Sequence, residues 1–147
     1  MKPAGSGPGT NGPNSTQFLQ QARALMQAPE SGNADLGGTW PRAVALLTRQ
    51  ALEQGLDDFW AARAPRVRGA SRHAQLLCLG AYLQDDDVVS GVRYAWHGLS
   101  RACHHQVYEL APTATELERW LDAVDALLKY DPIRSTPSSR PRHRSPA

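Results

Sequence analysis

The fold is decided by residues 85–110, which read DDDVVSGVRYAWHGLSRACHHQVYEL. Apolar side chains recur through this stretch at near-heptad spacing, which predicts one long helix over residues 88–108 with a single buried seam. The seam residues are Val89, Val92, Trp96, Leu99, Cys103, Val107 and Leu110. We expect this helix to be the longest of the fold.

Three aspartates, Asp85, Asp86 and Asp87, stand directly before this predicted helix. A run of carboxylates is one arrangement that binds a metal ion. At the start of a helix, however, carboxylates accept hydrogen bonds from free backbone N–H groups and face the positive end of the helix dipole. Their position favours capping, so we predict no metal site here.

Four further helices are predicted outward from this stretch. Helical periodicity with its start and stop signals places them over residues 16–28, 39–62, 71–83 and 113–130. The side chains predicted to cap their N-termini are Asn14 or Ser15, Thr39, Ser71 and Thr113, the last in a capping box with Glu116.

The pattern of the third predicted helix indicates which of its side chains face the core. Ala74, Leu77, Cys78 and Ala81 fall at helical spacing and are expected to be buried. Residues 63–69, which include three arginines, are predicted to be a linker. Because no segment alternates as a strand does, the predicted fold class is all-α, an antiparallel bundle of four main helices plus an N-terminal helix.

One helical-bundle domain is predicted over residues 15–130, between two disordered ends. Residues 1–14 and 131–147 are rich in Pro, Gly and Ser, so they bury too little apolar surface to offset the entropy of ordering. The net charge of +2 comes from these ends, because the tail carries Arg134, Arg140, Arg142 and Arg144. Such a tail contacts nucleic acid or an acidic partner, or serves only to keep the chain in solution.

The composition also predicts a compartment. No stretch approaches the roughly 20 apolar residues of a membrane span, and no signal peptide is recognised, so we expect a cytoplasmic protein without a membrane partner. Cys78 and Cys103 are predicted to be buried, reduced thiols. The excess of arginine over lysine, 14 to 2, is typical of a GC-rich bacterial genome.

A second arc of side chains runs beside the buried seam of the long predicted helix. It forms a stripe, called here the Arg/His stripe, of Arg93, His97, Arg101, His104 and Tyr108, with His105 just beyond it. In a functional interpretation, the arginines bind phosphate oxygens and a histidine acts as acid or base on RNA. In a structural interpretation, the arginines pair with carboxylates on neighbouring helices.

Two other chemistries are disfavoured by the same residues. A zinc ion could use His97, His104, Cys103 and Cys78, but their spacing matches no compact ligand motif. Cys103 is expected on the apolar seam, where burial raises the thiol pKa and leaves the sulfur inert as a nucleophile. We therefore predict neither a metal nor another cofactor.

A small helical bundle with Arg and His on a late helix resembles the HEPN superfamily, over residues 40–128. Residues 94–113 are also similar to small actinobacterial helical proteins. The resemblance implies either a metal-independent ribonuclease or, as in relatives without the catalytic motif, a binding or dimerisation module. Arg93 and His97 are separated by three residues and Arg101 and His104 by two, both shorter than the spacing in HEPN ribonucleases.

Two hypotheses of function result. The first is a non-enzymatic interaction module that binds a protein partner or itself, with nucleic acid contacted through the tail or the Arg/His stripe. Its further predicted binding residues are His105, Tyr108, Arg140, Arg142 and Arg144. The alternative is a HEPN-type ribonuclease, whose predicted catalytic residues are Arg93, His97, Arg101 and His104.

Overall fold

The computed structural model describes residues 12–27, 40–104 and 110–130. Within these ranges the chain forms six α-helices and no strand, which confirms the predicted all-α class. The helices are α1 (Ser15–Gln27), α2 (Trp40–Arg63), α3 (Pro65–Arg68), α4 (Arg72–Tyr82), α5 (Asp86–Cys103) and α6 (Ala114–Leu128). Both predicted disordered ends lie outside the described residues, except for residues 12–14.

Side-chain caps fix where several helices begin, because each accepts from an N–H group that has no partner within its helix. Asn14 Oδ1 accepts from the Gln17 N–H, and Gln17 Oε1 accepts in return from the Asn14 N–H. Ser71, Asp85 and Thr113 cap α4, α5 and α6 as predicted. Asp85 accepts from two backbone N–H groups, so its carboxylate acts as a helix cap.

The core lies around α2, which packs against α1, α3, α5 and α6. Its fully buried side chains include Val44, Leu52, Leu56 and Trp60. From α5, Val89, Val92 and Leu99 are buried as predicted. From α6, the buried side chains are Leu117, Trp120, Leu121, Val124 and Leu127. These apolar faces meet in one cluster, which is the main source of stability.

Helix α5 is shorter than predicted, and α2 is the longest described helix, with 24 residues against 18. α5 ends at Cys103, after which His104 takes an extended conformation while its N–H still donates to the Ser100 carbonyl. Leu110, predicted to belong to the buried seam, is 97% exposed. The prediction was wrong because periodicity reports that a face could be buried, not that a partner helix covers it.

The prediction for α4 selected the wrong face. Leu77, Cys78 and Ala81 are exposed, and Ala74 is half-buried. The buried face instead carries Gln75, Leu76 and Leu79, followed by Leu83. α4 thus has two apolar stripes, and the polar residue Gln75 lies on the inner one.

Burial of Gln75 costs little free energy because its amide nitrogen and its amide oxygen both have hydrogen-bond partners. Its Nε2 donates to the carbonyls of Val67, Arg68 and Ala70, at 3.3, 3.0 and 3.2 Å. Its Oε1 accepts from Arg72 at 2.8 Å. The carbonyls of Val67 and Arg68 belong to the segment predicted as a linker, part of which is the one-turn helix α3, and Ala70 directly follows that segment. Gln75 therefore anchors α3 to α4.

Tyr130 joins the end of α6 to the turn between α4 and α5. Its hydroxyl accepts from the Gln84 N–H at 3.1 Å, across 46 positions of sequence. The Arg63 guanidinium at the end of α2 lies 5.7 Å from the centre of the Tyr130 ring. A single aromatic side chain thus ties together three distant parts of the chain.

Helix α5 contacts α6 at Gly98, where the Trp120 ring lies on the glycine. A methyl group at Gly98 would overlap the rigid indole ring, whereas a methyl group at Gly91 would meet Ala123 Cβ at 3.4 Å, an ordinary contact. The absence of a side chain at Gly98 is therefore required by packing.

We expect Gly98→Ala to lower the free energy of unfolding by about 1–3 kcal/mol, because the added methyl group overpacks the Trp120 contact. The matched change Gly91→Ala, on the same helix, should instead raise it by about 0.5–1 kcal/mol through lower backbone entropy in the unfolded chain. Urea unfolding monitored by circular dichroism measures both. Equal effects of the two changes would contradict the described α5–α6 packing.

Candidate functional site

Arg93, the first residue of the Arg/His stripe, is bound to the backbone of α4. Its Nε and Nη2 donate to the Leu76 carbonyl at 3.0 and 2.9 Å, and Nη2 lies 3.4 Å from the Leu77 carbonyl. These carbonyls lie within α4, and each has a second lone pair that can accept a donor. The half-buried guanidinium thus holds α4 against α5.

The other described members of the stripe are on the surface. His97 and Arg101 lie one turn apart on α5, and His104 is the C-cap; all three are exposed. His105 and Tyr108 lie outside the described residues, as do Arg140, Arg142 and Arg144. The structure therefore separates the stripe into an anchored arginine and an exposed group of His97, Arg101 and His104.

The boundary between α2 and α5 holds a cluster that the sequence analysis did not propose as a site. The Arg49 guanidinium lies 5.3 Å from the centre of the Trp96 ring, and Arg49 Nε is 3.3 Å from Glu53 Oε1. Next to it, burial raises the pKa of the Cys103 thiol, an effect that hydrogen bonding and charge attraction from Arg49 oppose. Arg49 and Glu53 are spaced i, i+4 on one helix, which was the available signal for this pair.

The chemistry of this α2–α5 cluster is limited by its protonation state. A raised pKa keeps the Cys103 sulfur protonated over a wider pH range, and the thiol is a poorer nucleophile than the thiolate. Among the residues that the structure describes, no three His, Cys, Asp or Glu side chains are grouped to hold a metal ion. Cys78 is exposed, which corrects the prediction that it is buried.

Two clefts in the described residues lie away from the stripe. One, of about 210 Å³, is lined by residues that include Ser15, Asp58, Phe59, Arg63 and Tyr130. It is smaller than the roughly 300–1,000 Å³ of a typical ligand pocket. The Arg63 guanidinium in this cleft lies 4.1 Å from the centre of the Phe59 ring, so the aromatic side chain covers part of the guanidinium. The second cleft is an open groove along α1.

The stripe of α4 that faces away from the core is an apolar surface feature. We call it the outer face of α4 and define it as Ala74, Leu77, Cys78 and Ala81. Leu77 is 64% exposed, and Tyr94 of α5 is 53% exposed. No member of the outer face carries a charge, so an apolar surface runs the length of the helix.

Arginines stand before this helix and aspartates stand after it. Before α4 come Arg66 and Arg68 of α3, and His73 lies in its first turn; all three are exposed. After α4 come Asp86 and Asp87, which are also exposed. The outer face of α4 therefore lies between a basic end and an acidic end.

We expect Arg93→Ala to lower the free energy of unfolding by about 1–3 kcal/mol, because the charged hydrogen bonds to α4 are lost. Arg101→Ala removes the same guanidinium from an exposed position of the same helix and should change it by less than about 0.5 kcal/mol. Chemical denaturation of the two variants measures the difference. An unchanged stability of Arg93→Ala would mean that its guanidinium does not hold α4 in solution.

No helix among the described residues is both long and apolar enough to cross a membrane. A comparison of the chain with protein-family models, curated proteins and solved structures found no match. The resemblance to HEPN domains accordingly stays a prediction from the sequence.

Proposed function

We propose that the chain is a non-enzymatic helical-bundle interaction module that binds a protein partner, or a second copy of itself, through the outer face of α4. The observation that carries this proposal is the exposure of Leu77 within an uncharged stripe. Removing apolar surface from water contributes about 25 cal/mol per Å², so a partner that covers this stripe is stabilised by the hydrophobic effect.

The bundle does not need the outer face for its own folding. The inner stripe of α4 already places Leu76, Leu79 and Leu83 in the core. An isolated exposed leucine is common on protein surfaces and calls for no explanation. Here the apolar positions are instead contiguous along one helix, which is the pattern of a docking surface.

The first residue of the Arg/His stripe is less suited to catalysis than to structure. Arg93 already binds the Leu76 carbonyl, so its guanidinium would have to leave α4 in order to stabilise a phosphate. Ribonuclease activity through His97, Arg101 and His104 remains the alternative, supported by the exposure of these three side chains.

We also propose a secondary role for the arginine-rich tail and a cellular location for the protein. Arg140, Arg142 and Arg144 would attract phosphate groups by charge alone, without selecting a sequence. Nucleic-acid binding is therefore a secondary part of the proposal. We propose a bacterial cytoplasmic location, where an exposed thiol such as Cys78 stays reduced.

Site-specific photo-crosslinking tests the docking surface. We expect p-benzoylphenylalanine in place of Leu77 to give a discrete crosslinked product in the native host or with the purified chain at about 500 μM, whereas the same residue in place of Leu46 should not. Leu46 is a matched control because it is a 51% exposed leucine on another helix, α2. The partner identified by mass spectrometry should bind the purified chain, and Leu77→Gln should weaken that binding by about tenfold. No product beyond the Leu46 control would refute the proposal.

An RNA assay separates the two functions. The full chain and its His97→Ala and His104→Ala variants should all leave labelled RNA equally intact, because the proposal assigns no catalytic role to the stripe. Cleavage by the wild-type chain that both substitutions abolish would instead establish the ribonuclease alternative. Equal weak cleavage by all three proteins would indicate a contaminating nuclease and support the proposal.

A further inference from the structure

We infer that the occupant of the outer face of α4 is a second copy of this chain, whose own α4 packs against it in the antiparallel direction about a two-fold axis. The inference rests on the proposed docking surface and identifies its partner. It is carried by the distribution of charge at the two ends of α4.

The outer face of α4 suits close packing of two helices. Its members Ala74 and Ala81 are small, and they lie near the two ends of the helix. Small residues let two helix axes approach to about 8 Å. Leu77 lies between the two alanines, so each copy can place one large apolar side chain near the axis.

The ends of α4 determine the direction of pairing. The helix has 11 residues, so its two ends are about 16 Å apart. In an antiparallel pair, Arg66 and Arg68 of one copy lie near Asp86 and Asp87 of the other. The two-fold axis repeats this contact at the opposite end, so both ends of the interface pair basic with acidic side chains.

A parallel pair is disfavoured by the same charges. It would bring Arg68 near Arg68 and Asp86 near Asp86, and like charges at an interface repel. A two-fold interface must be complementary to itself, since the same patch forms both halves. A chain with a basic end, an apolar centre and an acidic end meets this requirement without any other protein.

The remaining charged groups of this region are already paired or point elsewhere. Arg72 binds Asp57 at 2.8 Å between α4 and α2. Arg93 binds the carbonyls on the side of α4 that faces α5. Asp85 caps α5. The charges free to meet a second copy are therefore those of Arg66, Arg68, Asp86 and Asp87, with His73 beside the basic end.

The size of the surface predicts a weak dimer. A helix about 16 Å long offers much less than the roughly 800 Å² per partner of a stable interface. Exposed charges are also screened strongly by salt. The dimer should therefore form at high protein concentration, and its affinity should fall as the ionic strength rises.

Sedimentation velocity of the full chain from about 5 μM to about 500 μM tests the inference. At about 0.05 M salt we expect the average mass to rise from that of a monomer towards that of a dimer, and at about 0.5 M salt the dissociation constant should rise about tenfold. Leu77→Gln should keep the chain monomeric, and the matched Leu46→Gln should leave the dimer unchanged. Circular dichroism melting should give the same midpoint for both variants, because both leucines are exposed.

Charge exchange tests whether opposite charges meet at the two ends of the interface, because in a parallel pair each variant would only replace one like-charge contact by another. Arg66→Glu with Arg68→Glu makes both ends acidic, and Asp86→Lys with Asp87→Lys makes both ends basic. Each double variant alone should be monomeric at concentrations where the wild-type chain dimerises. An equimolar mixture should form a heterodimer, because acidic ends then meet basic ends at both contacts. Adding Leu77→Gln to one partner should abolish it.

A wild-type chain that stays monomeric at every concentration overturns the inference, as does a dimer that survives Leu77→Gln. The inference is also overturned if the mixture of the two charge variants forms no heterodimer. It is overturned as well if a heterodimer forms and Leu77→Gln in one partner does not weaken it. The proposed function fails separately, when crosslinking at Leu77 gives nothing beyond the Leu46 control. If the chain is monomeric but position 77 crosslinks to a different protein, the proposed docking surface stands and only the inferred partner is wrong.

Discussion

The amide of Gln75 is the polar interaction that fixes the rotation of α4, and the surface of the molecule depends on that rotation. The inner stripe buries Leu76, Leu79 and Leu83, whereas the outer face has one leucine, so the hydrophobic effect favours the same rotation. Turning Gln75 outward would leave the carbonyls of Val67, Arg68 and Ala70 without their shared donor. A polar side chain in the core thus selects one rotation of α4, and the consequence is an apolar stripe that faces water.

Arg93 fixes the same helix from the other side. Its hydrogen bonds to the Leu76 carbonyl hold α4 against α5, while Gln75 holds α4 to α3. Two polar side chains therefore position a helix whose backbone comes close to the rest of the bundle at few points. The orientation of the outer face is thus fixed by hydrogen bonds that link α4 to α3 and to α5.

Much of the fold could be predicted from the sequence because the relevant interactions are local. The caps at Ser71, Asp85 and Thr113 each join a side chain to an N–H within three residues. The burial of α4 could not be predicted in this way, because Gln75 reads as a surface residue until its partners are placed. The role of Arg93 was hidden for a similar reason, since its acceptors lie 16 and 17 positions earlier in the chain. Sequence spacing grouped Arg93 with His97, whereas the fold gives the two residues different surroundings.

The contact between Tyr130 and Gln84 has a consequence for the order in which the bundle is completed. A chain emerges from the ribosome at about 5–20 residues per second, N-terminal residues first. The α4–α5 turn is made well before Tyr130, so the Gln84 N–H bonds to water until the end of α6 arrives. During that interval α2 also lacks the leucines of α6 that pack against Gly55. The α6 side of the bundle therefore stays open until α6 is available to pack, so the native core cannot be complete before that helix is added.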